Sequence, residues 1–470
     1  MIALTLAEAA EAVGGTLVGG ADPEAVLDGV VTNDSRAVGP GGLFAAFVGE
    51  KVDGHDFAAA ALAQGAVAIL ASRDVGVPAI LVGDVLTAVG DLARAVLLRL
   101  PQLTVVGITG SAGKTSTKDL LGQVLAAHGP TIAPRNSYNN ELGLPLTVLE
   151  ADEDTRFLVL EMSSRGVGHI EYLCRIAPPQ IGVVLNVGTA HVGEFGSKER
   201  IALAKGELVE ALTETGLAVL NADDSLVAPM SVRTKAPVRF FGEAADADVR
   251  AEDISLDDDG RPAFTLVADG AREQVRLNFS GEHQVGNALA AAAAALGAGM
   301  TLAAIAAALS TAVPVSGGRM AVTHRADGVT VVDDAYNASP EAVRAALKAL
   351  VAMARARPGA RAWAVLGPMA ELGEQSDEEH DAIGRLAVRL GIDRLVAVGD
   401  AAARIHAGAS HEGSWGEESV MVADQQEALA LVRAEVRPGD VVLVKAANSV
   451  RLGWIARELA AESVSAVDAR

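Results

Sequence analysis

At 470 residues the chain is too long for one ordinary hydrophobic core, so roughly two to four domains are expected. Half of it is apolar, so burial is not limiting, and a formal charge of −22 argues against nonspecific binding to nucleic acid or to an anionic membrane. The single cysteine, Cys174, excludes an internal disulfide and suits a reducing, cytoplasmic setting. The opening MIALTLAEAAEAVGG has no basic region and carries Glu8 and Glu11, so a signal peptide is not expected.

Residues 1–100 begin with a helix and short strands and then become loop-rich. The polar stretch Asp34-Ser35-Arg36 can be a plain turn. Alternatively Ser35 and Arg36, with the loop Asp53-Gly54-His55, form a small pocket for a nucleotide-like group. A helix over 84–99 ends before Pro101, which makes a reasonable boundary.

From 101 to 313 strands alternate with helices. The strands expected are 104–109, 157–162, 181–187 and 217–220, and this alternation predicts a parallel sheet flanked by helices. Residues 243–280 read as a small antiparallel excursion with a hairpin. The alanine-rich run from 288 to 309 is broken by Gly297 and Gly299 and reads as two buried helices, the second capped by Thr301, not as a membrane span. From 314 to 470 a second alternating pattern follows. Its strands are expected at 329–332, 362–366, 394–398 and 441–445, with Ser376 and Glu379 as a capping box. The fold class is therefore α/β, in three domains spanning 1–100, 101–313 and 314–470.

The richest stretch is VVGITGSAGKTSTK at 105–118. A β-branched strand runs into Thr109-Gly110-Ser111-Ala112-Gly113-Lys114-Thr115-Ser116 and then into a helix. Glycines let backbone N–H groups curl round an anion, and the helix N-terminus adds partial positive charge. Lys114 is placed to reach outer phosphates, and the Thr115 hydroxyl to hold Mg²⁺. The motif is TGxxGKT, with Ile108 where a plain phosphate loop has its first glycine. A linking turn without a ligand is the bland alternative.

Ligands of parallel sheets bind at the carboxyl ends of the strands, and other polar residues collect there. Glu161 ends a strand, His191 follows Asn186-Val187-Gly188-Thr189-Ala190, and Lys205 lies on a helix; together they suit a Mg²⁺ site. Taken singly, each is an ordinary strand-end acid, loop histidine or surface lysine. Asn139 and Asn140, in a run too polar for core, can donate to phosphate or carboxylate, or cap a helix. Asn287 can bond a base edge, Arg319 a phosphate, and an acid of Asp333-Asp334-Ala335-Tyr336-Asn337 a ribose hydroxyl.

These motifs together resemble the Mur ligases of peptidoglycan synthesis. TGSAGKT, NNELGLP, NVGTAHVGEFGS, LAKGEL, GEHQVGNALAA, GGRM and DDAYNASPEAV come in that family's order along nearly the whole chain. NDSR, GEKVDGHDF, DDAYNASP and LGPMAELGEQSDEEH make it most similar to the members that join D-alanyl-D-alanine to UDP-N-acetylmuramoyl-tripeptide. The resemblance implies an N-terminal UDP-binding domain, a central ATPase domain and a C-terminal Rossmann-like domain. It implies ATP-driven amide formation through an acyl phosphate; the charge, the single cysteine and the lack of a membrane span add the expectation of a cytoplasmic protein, a monomer, without nucleic-acid or membrane partners.

By that carry-over residues 109–116 hold ATP together with Asn287, Arg319, Asp334, Tyr336 and Asn337. Ser35, Arg36, Asp53, Gly54, His55, Asn139 and Asn140 hold the acceptor. Two Mg²⁺ ions are implied, one on Thr115 and Glu161 and one on His191 and Lys205, with Lys205 carbamylated. Lys114, Glu161, His191 and Lys205 carry the catalysis. The chain departs from the family's pattern at Ser163-Ser164, where a Gly-Ala pair is common, at Gln284 for asparagine, and at Asn448 for a basic residue. A phosphate-loop NTPase that drives a conformational switch remains the alternative outside the family, and a ligase for a different amine the alternative within it.

Overall fold

The computed structural model describes residues 1–49, 51–134, 137–190, 192–413 and 418–465, the last four of these as backbone. It is α/β, with three larger sheets in chain order. The first has five strands, with Gly42–Ala45, Ala66–Ala71 and Ala79–Leu81 parallel at its heart. Each is an apolar run buried along most of its length, as a sheet covered on both faces requires.

The second sheet has nine strands. Thr104–Thr109 lies between Ile181–Val184 and Phe157–Glu161, all parallel, with Val184 level with Thr109 and Glu161 level with Ile108. The chain leaves Thr104–Thr109 towards one side of the sheet and later fills the other, so the crevice of a doubly wound sheet opens at its carboxyl end. The antiparallel excursion is present as Val249–Leu256, Pro262–Ala268 and Ala271–Arg276. It joins the parallel part through Val238–Gly242, a strand the sequence reading did not mark.

The third sheet has six strands, five of them parallel, with Val441–Lys445 between Thr330–Asp333 and Ala362–Leu366. The expected capping box at Ser376 and Glu379 does not form. Ser376 is the first residue of the helix Ser376–Leu390 and its carbonyl accepts from His380 Nδ1 at 2.6 Å. Glu379 reaches sideways to Arg344 instead.

The alanine-rich run folds as two helices, Gln284–Gly297 and Leu302–Thr311, the second capped by Thr301. Among the described residues no helix is long and apolar enough to cross a membrane. Gln284–Gly297 packs on Lys114–Ala126, and its methyl-sized side chains allow the close approach. The segment between the second and third sheets is stapled to the same Lys114–Ala126 helix. Gln123 exchanges hydrogen bonds with the backbone of Val313, and Asp119 accepts from the Ser316 N–H and hydroxyl at 3.0 and 3.1 Å. Lys118, on the same helix, is fully buried, ion-paired to Asp119 at 2.9 Å and bonded to the Pro134 carbonyl.

Candidate functional site

Between the second and third sheets lies a cavity of about 640 Å³, in the range of small-molecule sites. The phosphate loop forms its floor. Gly113 has φ +83°, and a Cβ there would stand 2.4 Å from Asn287 Oδ1, so only glycine fits the turn into the helix. That helix has no side-chain cap. The first-turn N–H groups of Lys114, Thr115 and Ser116 therefore lack intrahelical acceptors, and all three residues line the cavity. Two other N–H groups of the loop are already engaged: Ser111 donates to the Asn186 carbonyl and Ala112 to Asn186 Oδ1.

A chain of hydrogen bonds crosses the floor. Arg319 Nη2 donates to Ser137 Oγ at 3.0 Å, and Ser137 Oγ lies 2.9 Å from Thr115 Oγ1. Thr115 Oγ1 donates to Glu161 Oε2 at 2.8 Å, and Asn139 Nδ2 to Glu161 Oε1 at 2.8 Å. The Arg319 guanidinium also stacks over Tyr336, 4.3 Å from the ring centre, and its Nε is buried without a partner. Lys114 Nζ folds back to the Gly110 carbonyl at 2.7 Å. Burial lowers its pKa, Glu161 opposes that, and Arg319 adds to it.

A hard divalent cation fits this donor set. Glu161 and Thr115 offer oxygen ligands side by side, and among the described residues no group of three His, Cys, Asp or Glu residues competes for a metal. One carboxylate plus substrate phosphates is how Mg²⁺ is usually held. His191 lies outside the described residues.

Lys205 sits on Lys198–Glu210, 4% exposed, behind the cavity wall and not on its lining. It has no carboxylate or hydrogen-bond partner among the described residues. Burial, with the Lys114 ammonium adding to it, pushes its amine well below the usual lysine range. Cys174 is buried, and burial pushes its thiol up to about 12, so it offers no nucleophile.

The third sheet supplies the roof. Asp334 Oδ2 pairs with Lys445 Nζ at 2.6 Å and Oδ1 accepts from the Met320 N–H, so both oxygens are engaged. Lys445 also donates to the Asn337 carbonyl. Asn287 Oδ1 accepts from Thr117 and its Nδ2 donates to Gln284. Asn140 lines the cavity, but its Oδ1 accepts from the Gly143 N–H, the helix-capping role. Glu341 Oε1 accepts from the Thr189 N–H and hydroxyl at 2.7 and 2.9 Å, tying the third-sheet helix Pro340–Arg355 to the loop after Ile181–Val184.

The N-terminal candidates do not reach this cavity. Arg36 is held by Asp34 through two bonds of 2.8 Å, with its side chain 88% exposed. Ser35 lies in the same turn. His55 is buried, its Nδ1 2.6 Å from Asp53 Oδ1 and its Nε2 accepting from the Ser72 N–H, so Asp53-Gly54-His55 is a tied-down loop.

Sequence reasoning did not single out Ser137, Glu341 or Lys445. Lys445 had a readable signal: a lysine closing an all-apolar strand, where parallel sheets bind ligands. Glu341 had none, since an acid in a first helical turn is ordinary.

Three family models match the chain: the Mur ligase family catalytic domain over residues 29–100, the Mur ligase middle domain over 108–295, and the Mur ligase glutamate ligase domain over 318–448. A UDP-N-acetylmuramoyl-tripeptide–D-alanyl-D-alanine ligase of Mycobacterium bovis is 51% identical, covering 98% of each chain. The enzyme of that name in Escherichia coli is 38% identical over 85% of this chain and 86% of its own. Among solved structures, MurF from Acinetobacter baumannii matches with a TM-score of 0.87 at 31% identity, covering 97% of this chain and 99% of the other. MurF of Thermotoga maritima, in complex with ADP, matches with a TM-score of 0.79 at 31% identity over 93% and 98%.

Proposed function

The chain belongs to the Mur ligase family, and on that premise we propose that it joins D-alanyl-D-alanine to UDP-N-acetylmuramoyl-tripeptide at the expense of ATP, giving the pentapeptide precursor of peptidoglycan. One observation carries the reading. A phosphate loop, the Glu161–Thr115 oxygen pair and the cationic roof residues Arg319 and Lys445 face one cavity between two sheets. That is the layout needed to bring a nucleotide and two peptides together.

A carboxylate is a poor electrophile. In the first step an acceptor carboxylate oxygen attacks the γ-phosphorus of ATP, ADP leaves, and an acyl phosphate forms. In the second the dipeptide amine attacks the carbonyl carbon, inorganic phosphate leaves, and the amine loses a proton. Water would destroy the intermediate, so the site must close.

The first-turn N–H groups, Lys114 and Arg319 hold the phosphates and offset the charge gathering on them. Thr115 and Glu161 would hold one Mg²⁺, which when bound neutralises phosphate charge. Burial, with the Lys114 ammonium adding to it, disfavours the charged form of Lys205 and so favours the amine, the form that adds CO2 and gives up a proton. The resulting carbamate is anionic, offsets Lys114 and, with His191, would hold a second Mg²⁺. Residues 1–100 serve as the UDP-binding domain, 101–313 as the ATPase domain and 314–470 as the closing domain of a cytoplasmic monomer.

Phosphate release with ATP and Mg²⁺ tests the reading, with the tripeptide nucleotide and D-alanyl-D-alanine added singly and together. Release that needs both is expected. Release indifferent to both would instead establish a phosphate-loop switch, and release with another amine a different ligase.

A further inference from the structure

The loop 186–189, after the strand Ile181–Val184, is held from two sides. On one side it is bonded to the phosphate loop. The Asn186 carbonyl accepts from the Ser111 N–H at 3.1 Å, its Oδ1 from the Ala112 N–H at 2.9 Å, and its Nδ2 donates to the Ala112 carbonyl at 3.1 Å. The Gly188 N–H donates to Ser111 Oγ at 2.9 Å. Between them the Val187 N–H donates to Asp224 Oδ2 at 2.8 Å. Each turn of this loop is tied to a residue of the phosphate loop or to Asp224, so the two loops shift together.

On the other side stands the third domain. Glu341 Oε1 takes both donors of Thr189, the N–H at 2.7 Å and the hydroxyl at 2.9 Å. Gly188 makes room for that carboxylate: a Cβ there would stand 2.6 Å from Glu341 Cδ. The Gly188 backbone is outside the left-handed region, so it is the carboxylate and not the turn that requires glycine. A second close contact follows along the same segment. The Gly193 N–H donates to the Glu371 carbonyl at 3.2 Å, and a Cβ on Gly193 would stand 2.6 Å from the Gly373 nitrogen. Glu341 Oε2 is buried and has no hydrogen-bond partner. Two charge-assisted bonds favour the contact and one dehydrated oxygen opposes it, so the balance is close enough for the contact to be made and released.

We propose that Glu341 is a positioning residue: through Thr189 and the loop 186–189 it sets the phosphate loop against the roof residues Arg319 and Lys445. Docking of the third domain and the grip on the nucleotide's phosphates are then one coupled event. The proposal deepens the ligase reading above and rests on it for the effect on turnover. By linkage, whatever factor docking adds to nucleotide affinity the nucleotide adds to docking. Thr189 is buried and does not line the cavity, so it can act on a nucleotide only through this loop.

The test uses the full chain and two readouts: the Kd for ADP by calorimetry, and kcat with ATP, Mg²⁺ and both peptide substrates saturating. Glu341→Ala is expected to raise the Kd for ADP and lower kcat, each about 5–50-fold, the range of a coupling between sites. Glu341→Gln keeps an oxygen that can accept from both Thr189 donors and should recover most of both losses. Thr189→Val keeps the N–H and should shift both readouts the same way, about threefold. The double variant Glu341→Ala with Thr189→Val should match Glu341→Ala alone, because the contact is already gone. Thr189→Val and Glu341→Gln carry the test where Glu341→Ala does not fold. An unchanged Kd and kcat in the single variants overturns the proposal, even with a lowered Tm, since the contact would then serve the fold alone. Additive losses in the double variant overturn it too. The ADP titration needs no ligation, so a wild type that binds ADP and ligates nothing overturns the ligase reading, while the Kd values still decide the coupling.

Discussion

Two lysines of the central domain are almost completely buried, and they are held in opposite ways. Lys118, 0% exposed, lies on the back of the phosphate-loop helix. It is paired with Asp119 and bonded to the Pro134 carbonyl, and Asp119 in turn fastens Ser316 ahead of the third sheet. Lys205, 4% exposed, has no such partner among the described residues, and the charge that acts on it is the cation of Lys114. Burial is the same; completion of the polar shell is not. A buried charge with all its partners is costly to disturb and does nothing by itself, whereas a buried amine without partners is pushed towards its neutral form and is open to chemistry.

The largest effect expected from this contrast falls on activity. Lys205→Ala should lower kcat by on the order of 10²–10³-fold, as loss of a preorganised charged group does. It should melt less far below wild type than a variant that breaks a buried ion pair, because packing is lost but no hydrogen bond or ion pair is removed. Formate or another short-chain acid should restore part of the rate by standing in for the carbamate. A fully active Lys205→Ala enzyme would remove the metal-holding role and leave the comparison without its active half.

The next effect falls on stability. Lys118→Met leaves the Asp119 carboxylate buried without its cation, a loss of about 3–5 kcal/mol. For a domain of this size that lowers Tm by roughly 6–20 °C. In the cold, where the fold survives, kcat should stay within a few-fold. Calorimetry and a cold assay on the two variants together test the contrast: one loses function and keeps its fold, the other does the reverse. Equal melting of Lys118→Met and wild type would mean that partner completeness is not what separates the two lysines.

The half of this contrast visible in the sequence was the chemical half. TGSAGKT is a local motif, and the strand ends carrying Glu161 and Asn186 follow from alternation alone. Lys118 was not legible. KTSTKD reads as the polar face of an exposed helix, and only the packing of 313–316 and Pro134 against it makes that face interior. Ser376 and Glu379 have capping-box spacing, but a long-range partner, Arg344, took the glutamate. Arg36 and His55 sit in polar loops whose partners, Asp34 for the first and Asp53 and Ser72 for the second, show only in the fold. Glu341 is of the same kind, since its meaning lies 152 residues away on Thr189. Contacts between domains are set by folding, not by any spacing along the chain.

A half-buried charge tests how far the rule extends when partners are complete but solvent is near. Asp259, at the hairpin tip of the second sheet, meets three groups. Arg357 Nη2 lies at 2.6 Å and His324 Nε2 at 3.2 Å, both from the third-sheet domain, and its own neighbour Arg261 at 3.2 Å. Burial raises its pKa, but His324, Arg357 and Arg261 outweigh that and hold the carboxyl below its usual value. The folded state therefore binds the proton less readily than the unfolded one. The stabilisation is full above the unfolded carboxylate value near 3.8 and is lost as pH falls through the lower folded value. Because water reaches the cluster, Asp259→Asn should cost only about 1 kcal/mol at pH 7. Tm should fall by roughly 2–4 °C, and the gap from wild type should close as pH drops below 3.8. A gap that stays constant down to that range would mean the hairpin is held by shape and not by charge. Partner completeness would then have to be judged separately at domain contacts and in cores.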